Sequence, residues 1–410
     1  MQRSDDSVTP APTSASASAP APASAAAVGP LAGVRVLDFT RMIVGPVATM
    51  LLADMGADVL KIEPPEGEAL RFMQDDDDPE RSAFFVSANR NKRDLVLDLG
   101  SAGAADVRDR LVAQADVVVH NFVPQLVQRF GLSYERLKGI KPDLVYCGIG
   151  AWSGSEGSWA ARPGTDVLFQ AASGLMSVTG EPQGAPMRAG APIVDVTTGI
   201  TAALAVLAGL RHRDQTGEGV EVGTSLFEQA LFSQSPLFAW ADLRGVDPPR
   251  LGNQSPMALI LELTCVDGHF AVAIPTEKMW RRLCEALKAD DLATDPELAT
   301  APARLNHQPR ISAALQVLVA DRRAEELSEL LAAGGVPFAP VTGYLEALDA
   351  VPEITGRELV SLEGKAYGTI RTIPNPIRSS AWDSAVVLQS PLLGEHTSQI
   401  LEHLDTWGRS

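Results

Sequence analysis

LAGVRVLDFTRMIVGPVATMLLADMGADVLKIE, residues 31–63, decides the fold class. Val34 to Asp38 is a short apolar run of strand length. Gly45 and Pro46 then open a longer apolar run, Val47 to Met55, which reads as a helix stopped by Gly56. Asp58 to Ile62 is strand-like again. A strand, a helix and a strand in so short a stretch form a β-α-β unit, whose two strands lie parallel.

The same texture continues outward. Leu95 to Leu99, Asp116 to Val119, Leu144 to Gly148 and Val220 to Val222 read as further strands, and Ala102 to Ala113 as a helix. Alternating strands and helices predict an α/β protein with a doubly wound parallel sheet, which binds ligands beyond the carboxyl ends of its strands. Asp166 to Met176 and Thr197 to Arg211 read as helices, the second strongly apolar. Ser225 caps another. Near residue 240 the texture changes, with Pro248, Pro249 and Gly252-Asn253 marking a boundary. Leu263 to Ala273, broken at Asp267-Gly268, reads as a β-hairpin, with helices at Glu277 to Lys288 and Arg310 to Leu331. Strand-and-turn texture returns at Gly335-Val336-Pro337 and runs to a last helix near Ser398 to Leu404. The expected organisation is a disordered Ala/Pro/Ser tail over 1–29, the first part of a large domain over 30–235, a smaller α+β domain over 236–335, and a return segment over 336–410 that completes the large domain.

Composition excludes several function classes. The 410 residues are 45% hydrophobic and carry a net charge of -17. That balance opposes nucleic acid, which demands clustered Lys and Arg, and an anionic membrane surface. No continuous apolar run reaches the roughly 18–20 residues of a membrane span. Pro and Ser interrupt the N-terminal alanines, unlike a signal peptide. Cys147, Cys265 and Cys284 lack any disulfide or zinc spacing and read as buried hydrophobes, so the chain is expected to be cytoplasmic. The six histidines are dispersed, so no metal site is expected. Neither a phosphate loop of the Gly-x-x-x-x-Gly-Lys type nor a Gly-x-Ser-x-Gly elbow occurs, and Gly148, Gly150 and Gly154 miss the dinucleotide spacing. One cluster goes against the acidic background, Arg90-Asn91-Lys92-Arg93. It is either a solvated loop or an anchor for phosphate. The run Asp75 to Asp78 reads as a solvated loop.

Further segments stand in order along the chain: NRNKRDLVLDL (89–99), ADVVVHNFVPQLVQRFGL (115–132), GTDVLFQAASGLMSVTG (164–180), PIVDVTTG (192–199), RHRDQTGEGVEV (211–222) and LLGEHT (392–397). With residues 31–63 they make the chain resemble the class III CoA-transferases, the formyl-CoA:oxalate and carnitine CoA-transferase type, over nearly everything from residue 31 onward. The resemblance implies a Rossmann-like parallel sheet built from both chain ends, a smaller α+β domain and an interlocked homodimer. It implies transfer of CoA from an acyl-CoA to a carboxylic acid, with CoA as substrate and no tightly bound cofactor. In this reading Asp195 is the nucleophile, forming a mixed anhydride and then an aspartyl-CoA thioester. Spacing alone reads Asp195 as the N-cap of the helix at Thr197, and the two roles are compatible.

Carried over by motif, the CoA contacts are Met42, Ile43, Leu97, Asn121, Phe122 and Arg129, with Arg90 and Arg93 as candidates for the 3′-phosphate or for structural pairs. Oxyanion donors are expected from Gly148-Ile149-Gly150 or Gly199, and Asp166 is expected to cap the helix starting at Val167. Two departures matter. Gly252 to Leu261 (GNQSPMALIL) lacks the run of glycines that closes over the site in formyl-CoA:oxalate enzymes. In Gly164-Thr165-Asp166, Thr165 stands where 2-methylacyl-CoA racemases place a histidine, and it is no base at neutral pH. A racemase is therefore the second reading, and a non-catalytic CoA-binding paralogue the third.

Overall fold

The structure is a computed structural model, which describes residues 29–73, 82–152, 159, 162–364, 368–383 and 388–408. The tail up to residue 28, the Asp75–Asp78 run and Gly154 lie outside the described residues.

Strands β1 (Arg35–Phe39), β2 (Asp58–Glu63), β3 (Lys92–Val96), β4 (Val117–His120), β5 (Val145–Gly150) and β6 (Val220–Ser225) form one parallel sheet in the order β3-β2-β1-β4-β5-β6. That is the doubly wound order, with its topological switch between β1 and β4. The helices between them are α1 (Val44–Asp54), α2 (Ala83–Asn89), α3 (Ala104–Val112), α4 (Pro124–Arg129), α5 (Tyr134–Ile140), α6 (Asp166–Ala172), α7 (Leu175–Val178) and α8 (Ile193–Thr216). Side chains alternate between the faces. Val117, Val119, Val145 and Cys147 pack with Ala48 and Leu52 of α1 and Ala202 and Val206 of α8. Val118, Leu37, Leu60 and Tyr146 pack on the other face with Leu111 of α3 and Leu137 of α5.

Three expectations are corrected. First, all six strands come from residues 35–225, so among the described residues the C-terminal end supplies no strand to this sheet. Instead α18 (Thr397–Glu402) and the residues after it place Ile400, Leu404 and Trp407 in the second layer. The reason is the open edge of β3, whose unpaired amides need acceptors. Asp94 N–H donates to His396 Nδ1 and Val96 N–H to Thr397 Oγ1, so side chains rather than a strand close that edge. Second, β3 begins at Lys92 and not Leu95. Its buried charges are neutralised by residues distant in sequence, so a charged stretch can lie inside a sheet. Third, α8 starts at Ile193 and runs 24 residues. Among the described residues it is the helix long and apolar enough to cross a membrane, a length not evident in the sequence. It packs as a core helix against α1, β5 and β6.

Gly199 and Gly209 make that packing possible. A Cβ on Gly199 lies 2.7 Å from the Val44 carbonyl oxygen and 2.9 Å from Val47 Cγ1. Gly199→Ala is therefore expected to cost about 1–3 kcal/mol through overpacking, read as a lower denaturant midpoint at unchanged slope. An unchanged midpoint contradicts this close approach.

Helices α9 (Leu226–Phe232) and α10 (Ser235–Arg244) lead to the smaller unit. There β7 (Leu259–Cys265) and β8 (Gly268–Ile274) form the expected hairpin, with its turn at Val266-Asp267 rather than Asp267-Gly268, since Gly268 already pairs with Cys265. Helices α11 (Glu277–Leu287), α12 (Asp290–Thr294), α13 (Ala301–Asn306), α14 (Gln308–Val319) and α15 (Ala324–Ala333) follow. The unit has its own core, with Trp280, Leu283, Ile311, Leu315 and Leu327 against Leu261, Phe270 and Val272. The single helix expected over Arg310 to Leu331 divides because Asp267 accepts a bond from the Ala324 amide and so starts α15. β9 (Phe338–Pro340) pairs with β8, so the first residues of the return segment belong to the smaller sheet. Helices α16 (Tyr344–Asp349) and α17 (Val351–Thr355) and the antiparallel ribbon β10 (Val360–Gly364) and β11 (Gly368–Thr372) precede α18.

Candidate active site

The switch point gathers four of the eight sequence-selected binding residues. After β1 the chain turns through Thr40, Arg41, Met42 and Ile43 into α1, with Met42 in the left-handed region at φ 65°. Met42 N–H donates to Glu68 Oε2 at 2.7 Å, which holds that conformation. Asn121, one residue beyond β4, clamps the turn. Its Oδ1 accepts from Arg41 N at 2.9 Å and its Nδ2 donates to Arg41 O at 2.8 Å. The Arg41 guanidinium lies 4.9 Å from the Phe122 ring centroid. Met42, Ile43, Asn121 and Phe122 thus share one crevice at the carboxyl ends of β1 and β4. Leu97 follows β3, its amide bonded to Glu63 O at 2.8 Å. Arg129 ends α4 with its guanidinium 5.6 Å from the Phe130 ring centroid, and among the described residues no carboxylate pairs with it.

The basic cluster is not a phosphate anchor. Arg90 is buried, bonds Asp54 through Nε and Nη2, and gives Nη1 to Thr372 Oγ1 and Ile373 O. Arg93 pairs with Asp58 at 3.0 Å and donates to Trp407 O. Lys92 is fully buried against Asp38. These cations bind the fold together, and their donors are already occupied.

Asp195 is the third residue of α8. Because α8 crosses from β5 to β6, its N-terminus lies at the ligand edge of the sheet. Gly199, one turn on, rests on Val44 at the start of α1. Asp195 does not cap its helix, contrary to the spacing. Asp166 does so instead: its Oδ2 accepts from Val194 N at 2.8 Å and Asp195 N at 3.1 Å. Asp166 therefore caps α8 rather than α6, in which it is itself the first residue. Gln170, one turn along α6, donates Nε2 to Asp166 Oδ1 and accepts the Ala189 amide on Oε1 at 2.8 Å. The sequence reading did not select Gln170, although its i,i+4 spacing from Asp166 was there to read.

Among the described residues no donor reaches the half-buried Asp195 carboxylate. Burial, and then the neighbouring Asp166 charge, push its pKa up to about 7. No histidine shares the work. His120 is buried, bonded to Tyr146 Oη at 2.6 Å, and pushed down to about 4 by desolvation, so it stays neutral. The expected oxyanion donors fare unevenly. Gly148, Ile149 and Gly150 lie inside the β5–β6 ladder opposite Gly223, Thr224 and Ser225. Gly199 is deep enough in α8 for its amide to belong to the helix ladder. The three cysteines are buried, and desolvation raises Cys147 to about 12, leaving it inert.

The profile of "CoA-transferase family III" matches residues 31–397. The chain is 35% identical over 394 residues to succinate–glutarate CoA-transferase of Agrobacterium fabrum, covering 93% of this chain and 97% of that one. It is 34% identical to succinyl-CoA:mesaconate CoA-transferase of Haloarcula hispanica, over 92% and 96% of the two chains. It is 32% identical to formyl-CoA:oxalate CoA-transferase of Streptomyces coelicolor, over 90% and 94%. Among solved structures, a CaiB/BaiF family protein from Brucella suis superposes with a TM-score of 0.83 at 32% identity, covering 92% of this chain and all of that one.

Proposed function

The chain belongs to CoA-transferase family III, and from that premise we propose that it moves CoA from an acyl-CoA to a carboxylic acid through covalent intermediates on Asp195. The observation that carries this reading is a half-buried carboxylate, without donors of its own, at the ligand edge of the sheet. The Asp195 carboxylate attacks the thioester carbonyl. The C–S bond breaks, CoA leaves as thiolate, and a mixed anhydride remains. The thiolate attacks the aspartyl carbonyl, releasing the donor acid and leaving an Asp195–CoA thioester. The acceptor carboxylate then attacks that thioester, forming a second anhydride and freeing the thiolate. Attack of the thiolate on the acceptor's carbonyl gives the new acyl-CoA and restores Asp195. Each step exchanges one activated acyl bond for another, so the sequence is reversible.

The relatives named for succinate, glutarate, mesaconate and oxalate support a dicarboxylic acid as one partner in the exchange. Arg41 and Arg129 are the cations we assign to the anionic groups of CoA, with Phe122 lining its path. The racemase alternative lacks its histidine: Thr165 stands in that place, and His120 is a weak base with both ring nitrogens bonded, to the Phe122 amide and to Tyr146 Oη. On α8, Ile193, Val196, Ile200 and Leu204 form an exposed apolar stripe, Leu204 being 64% exposed. A second copy of the chain covers it in the homodimer we propose, and the reduced, buried cysteines fit a cytoplasmic enzyme.

Intact mass after mixing with succinyl-CoA tests the reading. A CoA-sized or succinyl-sized adduct, mapped to Asp195 and removed by hydroxylamine, is the expected result. An active enzyme with no adduct under any quench overturns it. A second expectation concerns pH. The nucleophile must be ionised, and its pKa in the free enzyme is about 7. kcat/KM should therefore rise about tenfold per pH unit below 7 and level off above it. A flat profile from pH 5 to 8 contradicts this assignment.

A further inference from the structure

Two oxygens of Asp166 carry two separate duties. Oδ2 takes the Val194 and Asp195 amides, and Oδ1 takes Gln170 Nε2. Gln170 is fully buried, and its Oε1 holds the Ala189 amide, in the segment that leads into α8. One side chain thus ties the approach to α8 to the carboxylate that caps it. We infer that Gln170 is a positioning residue for the transfer reaction, holding Asp166 on the first amides of α8 so that the Asp195 carboxylate is kept off them and free to attack. This rests on Asp195 being the nucleophile.

The physical argument starts from the helix end. The first four amides of a helix lack partners within it. An acidic side chain in the first turn is drawn toward that end by its unpaired amides and partial positive charge. A carboxylate so engaged is stabilised and directed away from substrate. Asp166 pre-empts this by occupying the amides of Val194 and Asp195. It can do so only while its plane is fixed, and among the described residues the side chain that fixes Oδ1 is Gln170. Gln170 itself is fully buried, so its amide is held in place to do this. Losing the amide frees Asp166 to rotate, which lets Asp195 turn toward its own helix. A displacement of about 1 Å at a reacting group costs on the order of 10²-fold in rate.

The full-length enzyme with Gln170→Met tests this, since methionine keeps length and volume and removes both hydrogen bonds. The expected result is kcat lower by about 10–100-fold, KM for succinyl-CoA within about twofold, and the acid limb of the pH profile moved to lower pH as Asp195 gains helix donors. A variant that is only less heat-stable, with wild-type kcat and acid limb, overturns the inference, as does a rise in KM at unchanged kcat. Should Gln170→Met fail to fold, Gln170→Glu carries the same test, because it keeps an acceptor for the Ala189 amide and removes the donor to Asp166 Oδ1. Its kcat is expected to fall, and a wild-type kcat overturns the inference. The mass experiment separates the two readings. If the active wild type forms no adduct on Asp195, the nucleophile assignment fails. If the wild type forms it and Gln170→Met forms it at the same rate, only the positioning role fails.

Discussion

Asp195→Asn is expected to lower CoA exchange by about 10⁴-fold or more while leaving the protein at least as stable as the wild type. The two halves of the expectation come from the same geometry. Asparagine matches aspartate in shape but forms no anhydride with an acyl group, so the covalent route is closed, and the neighbouring Asp166 carboxylate is held by the Val194 and Asp195 amides. Cys147 is buried with its thiol held protonated, and His120 is neutral and bonded to Tyr146. Stability moves the other way. Burial, with Asp166 alongside, raises the folded-state pKa of Asp195 to about 7 from an unfolded value of 3.8. The folded protein thus holds a proton that the unfolded chain releases more readily, and stability from this group is lost as pH rises from about 4 through 7. The asparagine variant carries no such loss. Its melting temperature relative to wild type should therefore be higher at pH 8 than at pH 5. Residual exchange above about one part in a hundred points to another nucleophile. A variant that melts well below wild type at pH 8 contradicts the electrostatics of the site.

How much of this was legible in the sequence depended on range. The β1-α1-β2 unit was readable because its apolar runs and its glycine and proline punctuation act locally. The hairpin around Asp267 was readable for the same reason. The start of β3 was not, since Lys92 and Asp94 are acceptable in a buried strand only through partners elsewhere in the chain. Asp38 neutralises Lys92, and the Gly394 amide reaches Asp94 Oδ1 at 2.6 Å. The start of α8 was hidden for a similar reason: its cap is Asp166, far upstream, and not a residue at the helix end. The same distance explains Arg90 and Arg93. A basic run in an acidic chain looks like an anion site until Asp54 and Asp58 are seen to occupy it. At the candidate active site, Asp195, Met42, Ile43, Asn121 and Phe122 were named from their motifs. Gln170, whose role depends on the distant Ala189 amide, was missed.

Lys92→Met should be the most destabilising single change in the sheet, at about 3–5 kcal/mol. Lys92 and Asp38 are both fully buried, with Nζ 3.0 Å from Asp38 Oδ2. Nζ also donates to Asn89 Oδ1 at 2.8 Å and to Pro46 O at 3.0 Å. Burial alone pushes the Asp38 pKa up, but Lys92, Lys61 and the hydroxyls of Thr40 and Thr49 outweigh it, so the carboxylate stays ionised below its ordinary pKa. Methionine fills the space of the lysine stem but strands that charge and leaves the Asn89 and Pro46 oxygens without their donor. Lys61 cannot take over, since its ammonium is held by Glu68 at 2.8 Å and by Thr40 O at 3.0 Å. The cost should shrink in Asp38→Asn/Lys92→Met, where no charge is stranded, and the difference between single and double variants measures the coupling. Lower pH should also relieve the single variant: without Lys92 the Asp38 pKa rises, so protonation in acid removes much of the penalty. Function should follow the fold. Asp38 holds the Thr40 amide at 2.9 Å and Lys92 holds Pro46 O, on either side of the Arg41–Ile43 turn, where we propose that CoA binds. A folded Lys92→Met enzyme is thus expected to show a raised KM for acyl-CoA. A single-variant cost below about 1 kcal/mol is the behaviour of a solvated surface pair, and would mean that water reaches Lys92 and Asp38 beneath the switch point.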